Sequence, residues 1–251
     1  EEGQAALYET PFEHVLKYVK PTRKTLRRDG HRKYWWRYGE TRPGLRRAIA
    51  PIDRFIVTPR VSKYRLFIWM AQSVMPDCAV VAIARDDDTT FGILHSRVHE
   101  LWALSTCTWL GKGNDPRYTP TTCFETFPFP SGLTPNLAAN AYATDPRAEA
   151  IAVAARRLDE LRQNWLNPPE WVDRVPEVVP GYPDRLIPKP AHAAALKQRT
   201  LTALYNARPA WLVNAHHALD VAVAAAYGWP VDLSDDEILR RLLVLNRERA
   251  G

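Results

Sequence analysis

The sequence predicts an α+β protein, in which a mixed β-sheet domain over residues 1–133 is followed by a mostly helical domain over residues 134–251. Two observations support this fold class. Between residues 54 and 84, short runs rich in β-branched and aromatic residues alternate with turn-forming residues, which is typical of strands in one sheet. In the second part of the chain, apolar residues recur at three- and four-residue steps, which is typical of amphipathic helices.

The chain is predicted to begin with helices. Apolar residues between Phe12 and Val19 have helical spacing, and Pro21 is expected to interrupt this helix because it lacks an amide hydrogen. A second, basic helix is expected up to Gly30. Pro43 suits the first position of a further helix that ends at Ala50.

The predicted sheet is built from apolar runs at 54–58, 65–70 and 79–84. Phe91–Leu94 is a fourth short apolar run and is expected to be another strand. The three acidic residues at 86–88 are then expected to form a solvated turn between strands.

The sheet region is predicted to be followed by a helix and a long loop. Ser96 has the side chain of a helix N-cap residue, and Val98–Leu104 is the predicted helix. Residues 111–130 are rich in Gly, Pro, Asn and Thr, so they are predicted to be largely loop.

The second domain is predicted to be helical with one extended segment. Asp145 and Pro146 suit the N-cap and first positions of a helix that continues through Trp165. The proline-rich segment 168–190 is predicted to be an extended strap. Further helices are expected near residues 191–205, 209–226 and 234–247.

Charge and composition narrow the function classes. The net charge is +6, and eleven Lys and Arg residues lie between Lys20 and Arg47, interleaved with aromatic residues. This composition suits binding to a nucleic-acid backbone, although a solvated charged helix leading into a tryptophan-rich core has the same composition.

No apolar run reaches the roughly 18 residues of a membrane helix, and no signal peptide is visible. With three cysteines that lack metal-ligand spacing, the protein is expected to be cytoplasmic, with reduced thiols.

No metal or catalytic centre is predicted from the motifs. His95 and His99 are four residues apart, but no third ligand and no suitably placed Glu accompany them. Asn167–Glu170 is similar to the Asn-Pro-Pro-aromatic tetrapeptide of adenine methyltransferases, but its fourth residue cannot stack on a base and it follows a helix. It is therefore predicted to be a helix stop.

Several longer motifs together resemble one enzyme family. They are Trp35–Glu40, Thr58–Arg65, Phe91–Trp102, Tyr118–Pro130, Leu166–Pro169, Arg199–Asn206 and Ala226–Trp229. The combination resembles the target-recognition domain and C-terminal helical domain of class I S-adenosyl-L-methionine-dependent adenine DNA methyltransferases, in particular the MmeI-like family of restriction–modification systems. The resemblance covers nearly the whole chain.

The resemblance implies that this chain is part of a longer enzyme. In that family, the S-adenosyl-L-methionine-binding motif and the catalytic Asn-Pro-Pro-Tyr precede the recognition domain, and neither motif occurs in these residues. We therefore expect no catalytic residue and no bound cofactor in this chain, double-stranded DNA as its partner, and S-adenosyl-L-methionine in an upstream methyltransferase domain.

The loop predicted over residues 111–130 carries the residue types that read base edges. Arg binds guanine and Asp binds cytosine in the major groove, and Asp115 and Arg117 alternate so that both face one side of an extended segment. Lys112 and Asn114 flank them. We expect these four residues to contribute to sequence recognition. The alternative is a local ion pair between Asp115 and Arg117 that only shapes the loop.

Other residues are candidates for contacts with phosphates. Arg60, Lys63 and Arg65 lie at the start of a predicted strand and suit phosphates or bases. Ser96 and Arg97 lie at a predicted helix N-terminus, where unpaired amide groups favour a phosphate. The basic stretch between Arg23 and Arg37 suits the DNA backbone. For each of these residues, a surface salt bridge is the alternative.

Two other functions fit the same sequence. The chain could be a free-standing DNA-binding specificity subunit or remnant that acts without S-adenosyl-L-methionine. It could also be an interaction protein whose basic stretch binds RNA or an acidic partner.

Overall fold

The computed structural model describes residues 1–111, 115–178 and 181–250. The chain divides into two compact units, Glu1–Ala48 and Ile49–Gly251. Small antiparallel sheets combine with helices, and the C-terminal region is mostly helical, so the predicted α+β class is confirmed. The predicted domain boundary at residue 133 stays a prediction.

The first unit consists of short helices. They are α1 (Glu2–Ala6), α2 (Glu9–Tyr18), α3 (Lys20–Lys24), α4 (Asp29–Lys33) and α5 (Pro43–Ile49), the last of which ends in the second unit. The predicted interruption is confirmed, since α2 ends before Val19 and Pro21 lies in the first turn of α3. Trp35 is buried in this unit, 5.4 Å from the ring of Phe12 and 4.3 Å from the ammonium of Lys20.

The second unit contains the predicted three-stranded sheet. Its strands are β1 (Arg54–Pro59), β2 (Ile68–Ala71) and β3 (Val80–Ile83), and both neighbours of the central β1 are antiparallel to it. Four consecutive residues of β1, Phe55–Thr58, are buried. Because successive side chains of a strand point to opposite faces, both faces of the sheet are covered at β1.

The predicted fourth strand is wrong, because Phe91–Leu94 lies inside helix α6 (Asp88–His95). Asp87 is the N-cap residue of this helix and accepts a hydrogen bond from the amide of Thr90. The acidic segment 86–88 therefore leads from β3 into a helix, and the prediction of a turn between strands is also wrong. The next helix, α7 (Arg97–Thr106), has Ser96 as its N-cap residue, as predicted.

Residues 108–142 contain small elements. β4 (Thr108–Leu110) and β5 (Asp115–Arg117) form an antiparallel hairpin, so the predicted loop holds more structure than expected. A single π-helical turn spans Pro120–Phe124, and a 3₁₀ turn spans Ala139–Tyr142.

The C-terminal region begins with the long helix α8 (Pro146–Leu166), which Asp145 caps as predicted. Asn167 ends it as the C-cap residue, which confirms the predicted helix stop. The proline-rich strap contains an antiparallel hairpin. The remaining elements are β6 (Val172–Val175), β7 (Arg185–Pro188), α9 (Ala193–Gln198), α10 (Leu201–Ala207), α11 (Ala210–Tyr227) and α12 (Asp235–Ala250).

One hydrophobic core connects the sheet with the C-terminal helices. It is continuous from Ile56 on β1 to Leu242 on α12. α6 packs against α8 and α11 at the centre of this core, and all residues from Thr89 to His95 are buried. Among the helices that the structure describes, none combines the length and apolar composition required to cross a membrane.

Candidate nucleic-acid interface

The β4–β5 hairpin presents the predicted pair of charged residues at the surface. Asp115 and Arg117 are exposed, whereas Pro116 between them is buried, as the alternation of a strand requires. Thr108 lies opposite Arg117, and Leu110 lies opposite Asp115. Residues that face each other across an antiparallel pair share one face, so these four side chains point the same way.

A second chain segment extends this surface. Val61 pairs with Arg117 as an antiparallel bridge and therefore lies on the same side of the hairpin. We call this surface the outer face; it consists of Val61, Thr108, Leu110, Asp115 and Arg117. Within the described residues, no salt bridge joins Asp115 to Arg117, and the role of this pair in reading bases stays a prediction. The predicted contacts Lys112 and Asn114 lie outside the described residues.

Arg65 holds the hairpin against the sheet. Its guanidinium donates to Thr58 Oγ1 at 3.0 Å, to the carbonyl of Pro59 and to the carbonyl of Pro116 at 3.4 Å. It also lies 4.8 Å from the ring centroid of Tyr118. Arg65 is 8 % exposed, and this burial lowers the pKa of its guanidinium. Its hydrogen-bond donors are directed into the protein.

Tyr118 and His99 form the next layer beneath the hairpin. Burial raises the pKa of Tyr118 and lowers the pKa of His99 to about 3, so both side chains are neutral. The Nδ1–H of His99 donates to the carbonyl of Leu94 at 2.9 Å, which leaves Nε2 as the acceptor for the Tyr118 hydroxyl at 3.1 Å. The tautomer of His99 is therefore fixed, and the hairpin is connected to the end of α6. This support could not be predicted from the sequence, because His99 and Tyr118 meet only in the folded chain.

Arg60 and Lys63 lie in the connection between β1 and β2. The amide of Arg60 donates to the carbonyl of Ala79 at 2.8 Å, and its carbonyl accepts from the amide of Tyr118 at 2.7 Å. Arg60 therefore joins the end of the sheet to the hairpin. Lys63 is exposed, and its Nζ donates to Asn206 Oδ1 at 2.8 Å. Their role in binding DNA stays a prediction.

Ser96 and Arg97 are engaged in hydrogen bonds within the chain. The buried Ser96 hydroxyl donates to the carbonyl of Ile93 at 2.7 Å and accepts from the amide of His99 at 3.3 Å. The amide of Arg97 donates to Asp220 Oδ1 at 2.7 Å, and its Nε donates to Asp235 Oδ1 at 3.0 Å. The carboxylate of Asp220 thus occupies the helix N-terminus where a phosphate was expected, and a phosphate contact by these residues stays a prediction.

The first unit carries uncompensated positive charge. Of the eleven Lys and Arg residues between Lys20 and Arg47, only Lys20, Arg28 and Arg32 form salt bridges among the described residues. The guanidinium of Arg37 lies 4.9 Å from the ring centroid of Tyr34, which is itself part-exposed. Lys and Arg side chains neutralise phosphates, and the role of this unit in binding a DNA backbone stays a prediction.

The residues that the structure describes do not fit an S-adenosyl-L-methionine site. Such ligands bind outside the carboxyl ends of parallel strands, whereas β1, β2 and β3 are antiparallel. Among the described residues, no group of three or more His, Cys, Asp or Glu side chains is placed to hold a metal ion.

The model of the family described as "MmeI, target recognition domain" matches residues 5–131, half of the chain. The chain belongs to this family.

The whole fold is similar to part of a solved structure. That structure is described as the Type IIL restriction-modification enzyme MmeI in complex with DNA, and it is 18 % identical to this chain with a TM-score of 0.64. The match covers 94 % of this chain but only 26 % of the solved chain, so this chain spans about a quarter of its length. The search of curated proteins found no match.

Proposed function

We propose that this chain recognises a specific sequence in double-stranded DNA, as the reading part of a site-specific adenine-N6 DNA methyltransferase of a restriction–modification system. The methyltransferase domain that binds S-adenosyl-L-methionine lies upstream in this proposal, and the protein is cytoplasmic. Membership in the target recognition family supports DNA reading. The finer assignment to an adenine methyltransferase rests on the sequence resemblance.

The observation that carries the proposal is the placement of Asp115 and Arg117 on one exposed face of a hairpin. A guanidinium donates to O6 and N7 of guanine, and a carboxylate accepts from N4 of cytosine. Two such groups, side by side on a strand, match the two bases of one G·C pair or of adjacent pairs. A two-stranded ribbon also fits the width of the major groove.

Phosphate contacts are assigned to cations of the basic first unit and to Lys63, which is exposed on the second unit. Arg60 is a further candidate, although it is only partly exposed. Neutralising phosphates releases counterions, so affinity is expected to fall steeply with salt. We assign Arg65 to supporting the hairpin, and Ser96 and Arg97 to joining α7 with the helices around it.

The test is selection of binding sites from randomised duplex DNA by the full chain, at several salt concentrations. Arg117→Ala is expected to cost about 1–3 kcal/mol at one base position and to relax specificity there. Arg157→Ala is the matched control, since Arg157 is exposed on α8 and forms a surface salt bridge with Glu160, 3.5 Å away. An unchanged selected sequence for Arg117→Ala would contradict the assignment. Equal competition by an RNA duplex would favour the interaction protein instead.

A free-standing DNA-binding module is the second candidate. Neither the S-adenosyl-L-methionine-binding Phe-x-Gly-x-Gly nor the catalytic Asn-Pro-Pro-Tyr occurs in these residues, which both candidates predict. The nucleotide sequence upstream of Glu1 separates the two candidates. An open frame that encodes both motifs supports the methyltransferase, and a stop codon directly upstream supports the separate module.

A further inference from the structure

Two aliphatic side chains of the outer face have no role in the function proposed so far. Leu110 is 40 % exposed and lies directly across from Asp115, and Val61 is 42 % exposed and lies directly across from Arg117. Opposed residues of an antiparallel pair have Cβ atoms roughly 4.5–5.5 Å apart. Each aliphatic side chain therefore lies beside one member of the charged pair, on the same face.

This spacing fits the stacking of DNA bases. Successive bases along one strand are about 3.4 Å apart, so a side chain next to Asp115 or Arg117 faces a neighbouring base pair. The C5 methyl of thymine is the apolar group on the major-groove edges of the bases, and apolar side chains contact it there. Asp115 and Arg117 can contact one base pair, while Leu110 and Val61 beside them face the neighbouring base pairs. Thymine in those neighbouring pairs would present its methyl group to the aliphatic side chains.

We propose that Leu110 and Val61 are specificity-determining residues that contact thymine C5 methyl groups, in the base pairs that flank the one contacted by Asp115 and Arg117. This proposal rests on the function proposed above. The occupant is DNA rather than a second copy of this chain, because Asp115 and Arg117 separate the two aliphatic side chains. They therefore form no continuous apolar patch of the size that protein interfaces require.

The experiment uses the full chain and the duplex that it selects from randomised DNA. Replacing one flanking thymine with uracil removes only the methyl group, and is expected to weaken binding by the wild-type chain roughly three- to fivefold. Leu110→Ser is expected to abolish the response to uracil at one flank, and Val61→Ser at the other. Trp109→Leu is the matched control, since Trp109 is half-exposed but lies on the opposite face together with Pro116. This variant is expected to keep both responses.

The outcomes distinguish a failure of the proposed function from a failure of the thymine contacts alone. A wild-type chain that selects no sequence overturns the proposed function and this inference with it. A selected site without thymine within two base pairs of the position relaxed by Arg117→Ala overturns the inference alone. The same follows if uracil leaves wild-type binding unchanged, and this measurement needs no variant. Uracil responses that survive in both serine variants also overturn it, because the methyl groups are then sensed elsewhere.

Discussion

Arg65 and Arg117 belong to the same hairpin region, but burial gives them different roles. Arg65 donates to two carbonyls and a hydroxyl inside the protein, whereas Arg117 is exposed on the outer face. A buried guanidinium is favourable only while its donors stay bonded, because an unsatisfied buried charge is costly. The planar fork reaches several acceptors at once, which a single ammonium cannot do.

Replacing each arginine with lysine separates these roles. Arg65→Lys is expected to lower the free energy of unfolding by about 2–3 kcal/mol, since hydrogen bonds from a charged donor are lost. Arg117→Lys is expected to change it by less than about 0.5 kcal/mol, because the residue is exposed. Urea denaturation followed by tryptophan fluorescence measures both. Equal effects on stability would contradict the assignment of Arg65 as the support.

At the residue scale, the sequence indicated which side chains have the chemistry to bind DNA, but not which of them are exposed and which are bonded inside the protein. The alternation that places Asp115 and Arg117 on one face follows from strand geometry, so the pair could be predicted once the segment was taken as extended. Ser96 was predicted correctly as an N-cap residue. That Asp220 occupies the N-terminus of α7 was not predictable, because these residues are distant in the chain and meet only through the packing of α11.

At the scale of elements, helix α6 lies at the centre of the core and is packed very closely against its neighbours. A Cβ atom on Gly92 would lie 2.6 Å from Ile151 Cγ2 and 3.0 Å from Ala155 Cβ, both on α8, and 3.1 Å from Leu219 Cδ1 on α11. Ile151, Ala155 and Leu219 are fully buried, so they have little room to move. Glycine therefore permits the close approach of three helices.

Gly92→Ala is expected to destabilise the fold by about 1–2 kcal/mol, since overpacking outweighs the gain in helix propensity. Gly44→Ala is the matched control. Gly44 lies in α5, and apart from its chain neighbours and the backbone of its own helix, no described atom lies within 4 Å of the position that a Cβ would take. There, alanine is expected to be neutral or stabilising by up to about 1 kcal/mol. Thermal unfolding of both variants checks this, and a Gly92→Ala protein as stable as the wild type would refute the close-packing argument.

The same packing explains why α6 was predicted to be a strand. Every residue from Thr89 to His95 is buried, so the helix has no polar face and its sequence lacks the period of an amphipathic helix. The three sheet strands were predictable, because turn residues separate their short apolar runs. The β6–β7 hairpin was not, since prolines in the segment 168–190 indicate an extended chain but not which residues pair.

At the scale of the second unit as a whole, three histidines are held neutral inside the fold. Burial lowers the pKa of His99 to about 3 and that of His216 to about 4, and it lowers the pKa of His95 well below its ordinary value. His95 Nε2 accepts from the amide of Phe67 at 3.1 Å and from the buried guanidinium of Arg162 at 2.7 Å. A proton at this nitrogen would remove both bonds and place two positive charges together.

These histidines are expected to make the fold sensitive to acid. An unfolded histidine has a pKa near 6.5, so as the pH falls below this value the unfolded chain binds protons that the folded chain does not. Stability is therefore fully present above about pH 6.5 and is lost as the pH falls toward the folded pKa values. For His99, the loss is at most about 1.4 kcal/mol for each pH unit between about 6.5 and 3.

Unfolding in urea, measured from pH 7.5 to pH 4.5, tests this expectation. His99→Gln keeps a donor and an acceptor at the position that bonds Leu94 and Tyr118, and it cannot be protonated. The free energy of unfolding of this variant is expected to fall less steeply with acid than that of the wild type. The difference between the two slopes is expected to be up to about 1.4 kcal/mol for each pH unit. His217→Gln controls for the substitution itself, because His217 is exposed on α11. Parallel curves for the wild type and His99→Gln would show that the buried His99 does not contribute to the acid sensitivity of the fold.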